Sequence, residues 1–349
     1  MFRRRTLAQI MTAAALAPAP LVAQGPRGLS RIAFGSCADQ DQPQPIWDAI
    51  LAYRPELFIF AGDNVYGDFR APDAANLRRA YARADEVAGY ARLRAGVEHL
   101  AIWDDHDYGA NDGGADFPHK ALAKDLFLDF WKVPADDMRR RREGLYESWL
   151  RGPAGQRVQI IILDTRWFRS PLRPTDRRNA PGKERYLPDP DPAKTMLGAT
   201  QWTWLAEALR QPAELRLLVS SIQVLAEGHG WERWGNFPLE REKLIATIRD
   251  SGARGVLLLS GDRHIGALYR EAPPGMPPLY EVTSSGLNKS FAAAREPGPN
   301  RLGELYAAPN FGAIDIDWTG RSVTVALREE SGAVCRSATV SFGELGLPA

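Results

Sequence analysis

Four clusters of side chains able to ligate metal follow directly on short apolar runs. Cys37 comes after Arg31–Gly35 and Ser36. Asp63, Asn64, Tyr66 and Asp68 come after Leu57–Ala61 and Gly62. Asp105 and His106 come after His99–Trp103, and Asp262 and His264 after Val256–Leu259. Each cluster alone reads equally well as a polar loop with an Asx-turn. Together they offer a thiolate, carboxylates, a phenolate and imidazoles. A thiolate beside a phenolate suits a transition metal, ferric iron above all. The oxygen groups of Asp63, Asn64, Asp105 and Asn111 suit a harder ion such as calcium. Two cations sharing one carboxylate would activate a bridging water at neutral pH and clamp a phosphoryl group for in-line attack.

Strand ends are what such a site needs, because the carboxyl ends of parallel strands are where open α/β sheets place ligands. The run Leu57–Ala61 is short, aromatic and branched, and closes on a glycine, so it reads as a buried parallel strand. A helix over 45–53 follows the first strand, an arginine-rich helix covers 76–95, and another covers 120–131. The strand over 158–163 delivers Asp164, Thr165 and Arg166. A polar, proline-rich stretch from Ser170 to Ala193 reads as a surface excursion. Helices over 200–209 and 239–250 bracket a strand at Leu215–Val219, which delivers Ser220, Ser221 and Gln223. The chain then turns β-rich over 279–283, 313–318, 322–327 and 334–342, and these late strands read as antiparallel. The alternation predicts an α/β protein with two packed, mixed sheets flanked by helices.

Composition limits the class of protein. The chain has 349 residues, 44% hydrophobic and 25% charged, with a net charge of +1. That balance gives no global field for nucleic acid or a membrane surface. No interior apolar run reaches the ~18 residues of a bilayer span. Arg3, Arg4 and Arg5 precede an alanine-rich run from Leu7 to Ala23, the pattern of a cleaved export signal, loosely of the twin-arginine type. Residues 1–23 are therefore expected to leave the mature chain, and 30–349 to form a single domain. An exported protein with two cysteines invites a disulfide. Cys37, however, holds the strand-end position that Asp63 holds on the next strand, which favours a site residue.

The motifs GSC at Gly35–Cys37, GDNVYGD at Gly62–Asp68, WDDHDYGAND at Trp103–Asp112, LDTR at Leu163–Arg166 and SGDRH at Ser260–His264 resemble those of the PhoD-like alkaline phosphatases, a branch of the calcineurin-like metallophosphoesterases. Order and spacing match over roughly residues 30–270. The resemblance implies a four-layer αββα sandwich and an exported phosphatase, periplasmic or extracellular. Phosphomonoesters would be hydrolysed by a metal-bridging hydroxide at a centre of Fe(III) and one or two Ca2+. By motif, Cys37, Asp63, Tyr66, Asp262 and His264 would hold iron. Asp63 would bridge to calcium, with Asp105 and Asn111 as further calcium ligands. His106 would be the general acid, Arg166 would grip phosphate oxygens and Asn64 would meet the substrate; His229, flanked by Gly228 and Gly230, reads as a substrate-loop residue or equally as a plain loop histidine. The implied partner is a small phosphate ester, bound by a monomer with no nucleic-acid specificity and no membrane insertion.

Two departures from the wider superfamily stand out. Gly35-Ser36-Cys37 replaces its first Asp-x-His, and no histidine ends the strand at Leu215–Val219. Fewer imidazoles fit calcium better than a second transition metal. Two alternatives stay open. One is a phosphodiesterase or phospholipase C-type hydrolase, with Trp167, Trp231 and Trp234 as an apolar wall. The other is a non-catalytic phosphate- or metal-binding protein.

Overall fold

The structure, a computed structural model, describes residues 28–348, so the expected export signal lies outside the described residues. In chain order the elements are β1 (Arg31–Gly35), α1 (Ile46–Tyr53), β2 (Leu57–Ala61), α2 (Ala75–Glu86), α3 (Ala88–Gly96), β3 (Glu98–Ile102), α4 (Asp105–Tyr108), α5 (Lys120–Phe130), β4 (Glu147–Arg151), β5 (Val158–Ile162), β6 (Arg173–Pro174), β7 (Tyr186–Leu187), α6 (Gly198–Leu209), β8 (Leu215–Val219), α7 (Pro238–Ser251), β9 (Val256–Ser260), β10 (Gly266–Glu271), β11 (Leu279–Ser284), β12 (Asn310–Asp317), β13 (Ser322–Glu329) and β14 (Val334–Ser341). No helix among the described residues is long and apolar enough to cross a membrane.

Two six-stranded sheets carry the fold, in the orders β14-β13-β12-β1-β2-β3 and β10-β11-β9-β8-β5-β4. β1, β2 and β3 run parallel, as do β5, β8, β9 and β11, while the remaining members pair antiparallel. Both faces of the central strands are covered, which is why β2 reads as an unbroken apolar run and β5, β8 and β9 as apolar runs with one polar residue each. On the second sheet the faces separate by alternation. Ile160, Ile162, Leu217, Val219, Leu257 and Leu259 join the core shared with the first sheet. Ile161, Leu218 and Leu258 pack with Trp202 and Leu205 of α6 and Leu244 and Ile248 of α7. On the first sheet Phe58 and Phe60 meet Trp47 of α1, and Phe60 meets Trp131 just beyond α5. The expected four-layer αββα sandwich follows, each fully buried large apolar side chain contributing roughly 1.5–3 kcal/mol.

Three details differ from the sequence reading. The helix over 76–95 breaks at Val87, whose backbone is extended (φ −72°, ψ 104°). The break lets α3 pack against α1, where Gly89 is so close that a Cβ there would lie 2.6 Å from Cβ of Trp47. β4 and β10 are edge strands that no alternation announced. β11 is parallel to β9, not part of an all-antiparallel tail, because β10 leaves the site end of β9 along the sheet edge and β11 returns between them. That return has a consequence for the site. It brings Ser285 alongside Ser36 in an isolated parallel bridge, and Ser36 N–H donates to Ser284 O at 3.1 Å. The two sheets therefore meet at the end where the polar clusters lie.

Candidate metal centre

The strand-end residues leave their strands by left-handed backbone. Cys37, Asp63, Asp262 and His264 have φ of 62°, 48°, 68° and 57°. Each such non-glycine residue costs of order 1–3 kcal/mol and persists only where its surroundings impose it. Here the turns are tied together: Cys37 N–H donates to Gly62 O (3.4 Å) and Ala38 N–H to Asp63 O (2.9 Å). Gly261 must be glycine, because a Cβ there would sit 2.4 Å from Oγ of Ser36.

The side chains converge on two adjacent positions. At the first, ligand atoms of Cys37, Asp63 and His264 lie within 4.8 Å of one another. Tyr66 Oη lies 3.2 Å from Oδ2 of Asp63 and 3.4 Å from Nε2 of His264. At the second, atoms of Asp63, Asp105 and His106 group in the same way, as do those of Asp104, Asp105 and Asp262. Asp63 thus stands between the two positions. Asp262 departs from the expected iron set: its carboxylate lies with Asp104 and Asp105, while His264 faces Cys37. Two left-handed residues flanking Arg263 let one turn serve both positions.

The electrostatics call for cations. Burial, and then the neighbouring Asp105 and Cys37, push the Asp63 carboxyl well up. Burial, then Asp104 and Asp105, does the same to Asp262. Burial also raises the Cys37 thiol and the Tyr66 phenol, the latter helped by Asp63. A cation would hold all of these ionised. Among the described residues Asn64 Oδ1, Asp104 Oδ2 and Asp105 Oδ1 are buried with no hydrogen-bond partner, which fits donors facing an ion. The donor set therefore fits one soft-to-borderline ion at Cys37, Tyr66 and His264, and one hard ion at Asp105 and Asp262, with Asp63 common to both.

His106 lies beside both positions. Its backbone N–H donates to Asp63 Oδ1 (3.2 Å) and its Nδ1 meets Asp68 Oδ2 at 2.5 Å. Burial opposes its charge, but Asp105, Asp63 and Asp68 outweigh that and push it up to about 11. His264, buried and facing Arg263, is pushed down to about 4 and so presents a neutral imidazole, the form a metal binds.

A cleft of about 370 Å³ opens over these groups, lined by Asp105, His106, Asp262 and His264 together with Asp112, Glu232, Arg185, Arg263, Lys289, Trp231 and Phe291. Asn111 is exposed at its edge, and its backbone N–H donates to Asp68 Oδ1 (2.7 Å).

Three expected substrate contacts look different in the structure. Arg166 is fully buried, its Nε donating to Asp104 Oδ1 (2.6 Å) and its Nη1 to Glu232 Oε2 (2.7 Å). Its fork is spent on two acids beneath the site, not on an incoming phosphate. His229 is 3% exposed, with Nε2 on Gln223 Oε1 (3.0 Å) and Nδ1 accepting from Trp231 N–H (3.2 Å). Both of its nitrogens are committed inside the protein. Asn64 is buried and spends its amide N–H groups on Asp107 Oδ2 (2.5 Å) and Ile102 O (2.7 Å). Of the three tryptophans expected as an apolar wall, only Trp231 lines the cleft. Trp234 and Trp167 are core residues, Trp234 bonded to Ser220 and Trp167 stacked on Trp103.

Other residues were not singled out from the sequence. Asp112 and Glu232 group with Asp105 as a further set of carboxylates. Arg169 Nε lies 2.9 Å from Glu232 Oε1 beneath them. Ser285 Oγ lies 3.1 Å from Cys37 Sγ. Asp112 sits one residue beyond the matched Asn111, a spacing that hints at it. Glu232, in a tryptophan-rich loop, carries no signal that separates it from a surface acid.

The profile of the PhoD-like phosphatases matches residues 32–290. Alkaline phosphatase D of Bacillus subtilis is 22% identical over 248 residues, covering 62% of this chain and 40% of that one. The chain thus spans well under half of that relative's length. The solved structure of PhoD superposes with a TM-score of 0.69 at 17% identity, over 93% of this chain and 70% of that one. A purple acid phosphatase from yellow lupin (Lupinus luteus) seeds superposes at 0.60 and 13% identity, over 93% and 56%. Both structural likenesses are of fold.

Proposed function

Since the chain belongs to the PhoD-like phosphatase family, we propose that it is a metal-dependent phosphatase that hydrolyses small phosphomonoesters at the centre built on Asp63. The observation that carries this reading is Asp63 standing between the Cys37–His264 group and the Asp105–His106 group, which suits two cations sharing one carboxylate. Cys37, Tyr66, His264 and Asp63 would hold Fe(III), and Asp63, Asp105 and Asp262 would hold Ca2+, with Asp112 and Glu232 grouped beside Asp105. Bound there, the two cations would supply an activated water and neutralise charge developing on phosphorus.

The protein's own groups do the rest. His106 is held at Nδ1 by Asp68, which places it to donate a proton to the departing alkoxide through Nε2. Arg166 positions without touching substrate, holding Asp104 and Glu232 in place beneath the carboxylates. Arg185, Arg263 and Lys289 line the cleft, ion-paired with Asp112, Glu296 and Asp39 respectively. Trp231, with Arg185 at 5.1 Å and Arg263 at 5.0 Å from its ring, and the half-exposed Phe291 add an apolar surface there. That surface favours a second reading, a phosphodiesterase acting at the same centre. Export through the signal over 1–23 belongs to the same proposal, and the exported protein should begin near Gln24.

The experiment is elemental analysis of protein purified without chelator, paired with turnover of an aryl phosphomonoester and the matching diester. Stoichiometric metal with monoester turnover in excess supports the proposal. Diester turnover in excess moves it to the second reading. Metal-free active protein ends it.

A further inference from the structure

The shortest cation-to-ring approach among the described residues is that of Lys289 to Tyr66, with Nζ 3.7 Å from the ring centroid. We infer that Lys289 is a positioning residue for the metal centre: its ammonium, fixed over the ring of Tyr66, strengthens the hold of the Tyr66 oxygen on the metal. The inference rests on the reading of Tyr66 as a ligand.

Lys289 is placed there by a two-loop clamp. Its Nζ is 2.8 Å from Oδ2 of Asp39, in the loop that carries Cys37. The neighbouring Asn288 fastens the same loop, accepting from Asp39 N–H (2.7 Å) and donating to Asp39 O (2.8 Å). The loop after β11 and the loop after β1 thus fix an ammonium over the residue whose oxygen lies beside Asp63 and His264. Elsewhere on the ring lies the imidazole of His106, 4.4 Å between centroids.

The physical reason is differential. A cation over an aromatic face is attracted by the ring's negative charge, and the attraction grows with that charge. With the ion's charge offset by the Cys37 thiolate and the Asp63 carboxylate, a metal-bound Tyr66 keeps phenolate character in its ring and so gains more from Lys289 than a free phenol does. An interaction stronger in one state shifts the balance toward that state. The side chain of Lys289 is 38% exposed, so the contact belongs with the partly solvated members of its class.

Lys289 also lines the cleft, so a direct contact with the anionic substrate is the competing role. Lys289→Met and Lys289→Arg, each made in the wild-type and Tyr66→Phe backgrounds, separate the two. Loss of metal to excess chelator is followed by elemental analysis, and the visible spectrum is recorded in parallel. In the wild-type background Lys289→Met should lose metal roughly twofold to fivefold faster, the range an exposed contact of this kind supplies. Lys289→Arg should stay near wild type. Lys289→Met should add nothing once Tyr66 is Phe, and it should move a phenolate charge-transfer band to longer wavelength.

Unchanged metal loss and an unmoved band in Lys289→Met would overturn the inference alone. So would an equal effect in both backgrounds, or a change confined to KM, which marks a substrate contact. Wild-type protein devoid of metal would overturn the proposed function and this inference together.

Discussion

Nδ1 of His106 and Oδ2 of Asp68 lie 2.5 Å apart, across 38 residues of chain. The pair fixes the imidazole and turns Nε2 toward the cleft. Asp68 is also one of the carboxylates that hold the imidazole protonated. Asp68→Asn lowers the pKa of His106. The acid works only while protonated, so activity is present below that pKa and lost above it. The alkaline limb of the kcat–pH profile should therefore move to lower pH in Asp68→Asn. An unmoved limb would show that His106 does not set it.

His106→Ala should keep both metals and lose turnover by ~10²–10⁴-fold, the usual yield of general acid catalysis. The loss should be greatest for alkyl esters, whose leaving groups need the proton most. Comparable losses for alkyl and aryl esters would assign His106 a structural part instead.

Arg166 is predicted to matter through stability. Its guanidinium neutralises Asp104 and Glu232, and all three side chains are at most 1% exposed. Arg166→Met leaves Asp104 buried without its cation and Glu232 with Arg169 alone, and should cost ~3–5 kcal/mol in urea unfolding of the metal-loaded protein. Undiminished stability with a large rise in KM would restore the phosphate-gripping role read from the sequence.

Cys37 and Cys335 are both free thiols, Cys37 buried at the end of β1 and Cys335 on the edge strand β14. Peptide mapping should find no bridge between them. A phenolate on ferric iron gives a visible band, so native protein should be coloured, Tyr66→Phe bleached, and Cys37→Ser depleted of iron. Colourless, fully active protein would remove iron and leave a two-cation hydrolase of other metals.

A calcium-selective chelator should abolish activity while leaving iron content and colour in place, and added calcium should restore it. The motive is the carboxylate-rich second position, where Asp63, Asp105 and Asp262 offer oxygens and no thiol, with His106 as the one imidazole beside them. Full activity after exhaustive chelation would argue for a different ion there.

The sequence by itself determined the frame and drew attention to the first candidate site residues. Short apolar runs followed by Gly62, Asp104 or Ser260 announced parallel strands, and the polar residues behind them announced a site, because strand ends are where such sheets can hold an ion. Cys37, Asp63, Tyr66, Asp105 and His264 were legible for that reason. The edge strands β4 and β10, the parallel return of β11 and the break at Val87 were not, since pairing partners and helix crossings depend on contacts far along the chain. The partners of Arg166 and His229 were decided only by tertiary structure. A motif places an arginine or a histidine at a strand end or loop, but which atoms its nitrogens reach depends on what packs beneath. Here Glu232 and Asp104 claim the one, and Gln223 with Trp231 the other. Lys289 is the extreme case. It lies 223 positions from Tyr66 in the chain and yet 3.7 Å from its ring, because the two sheets close on each other at the Ser36–Ser285 bridge.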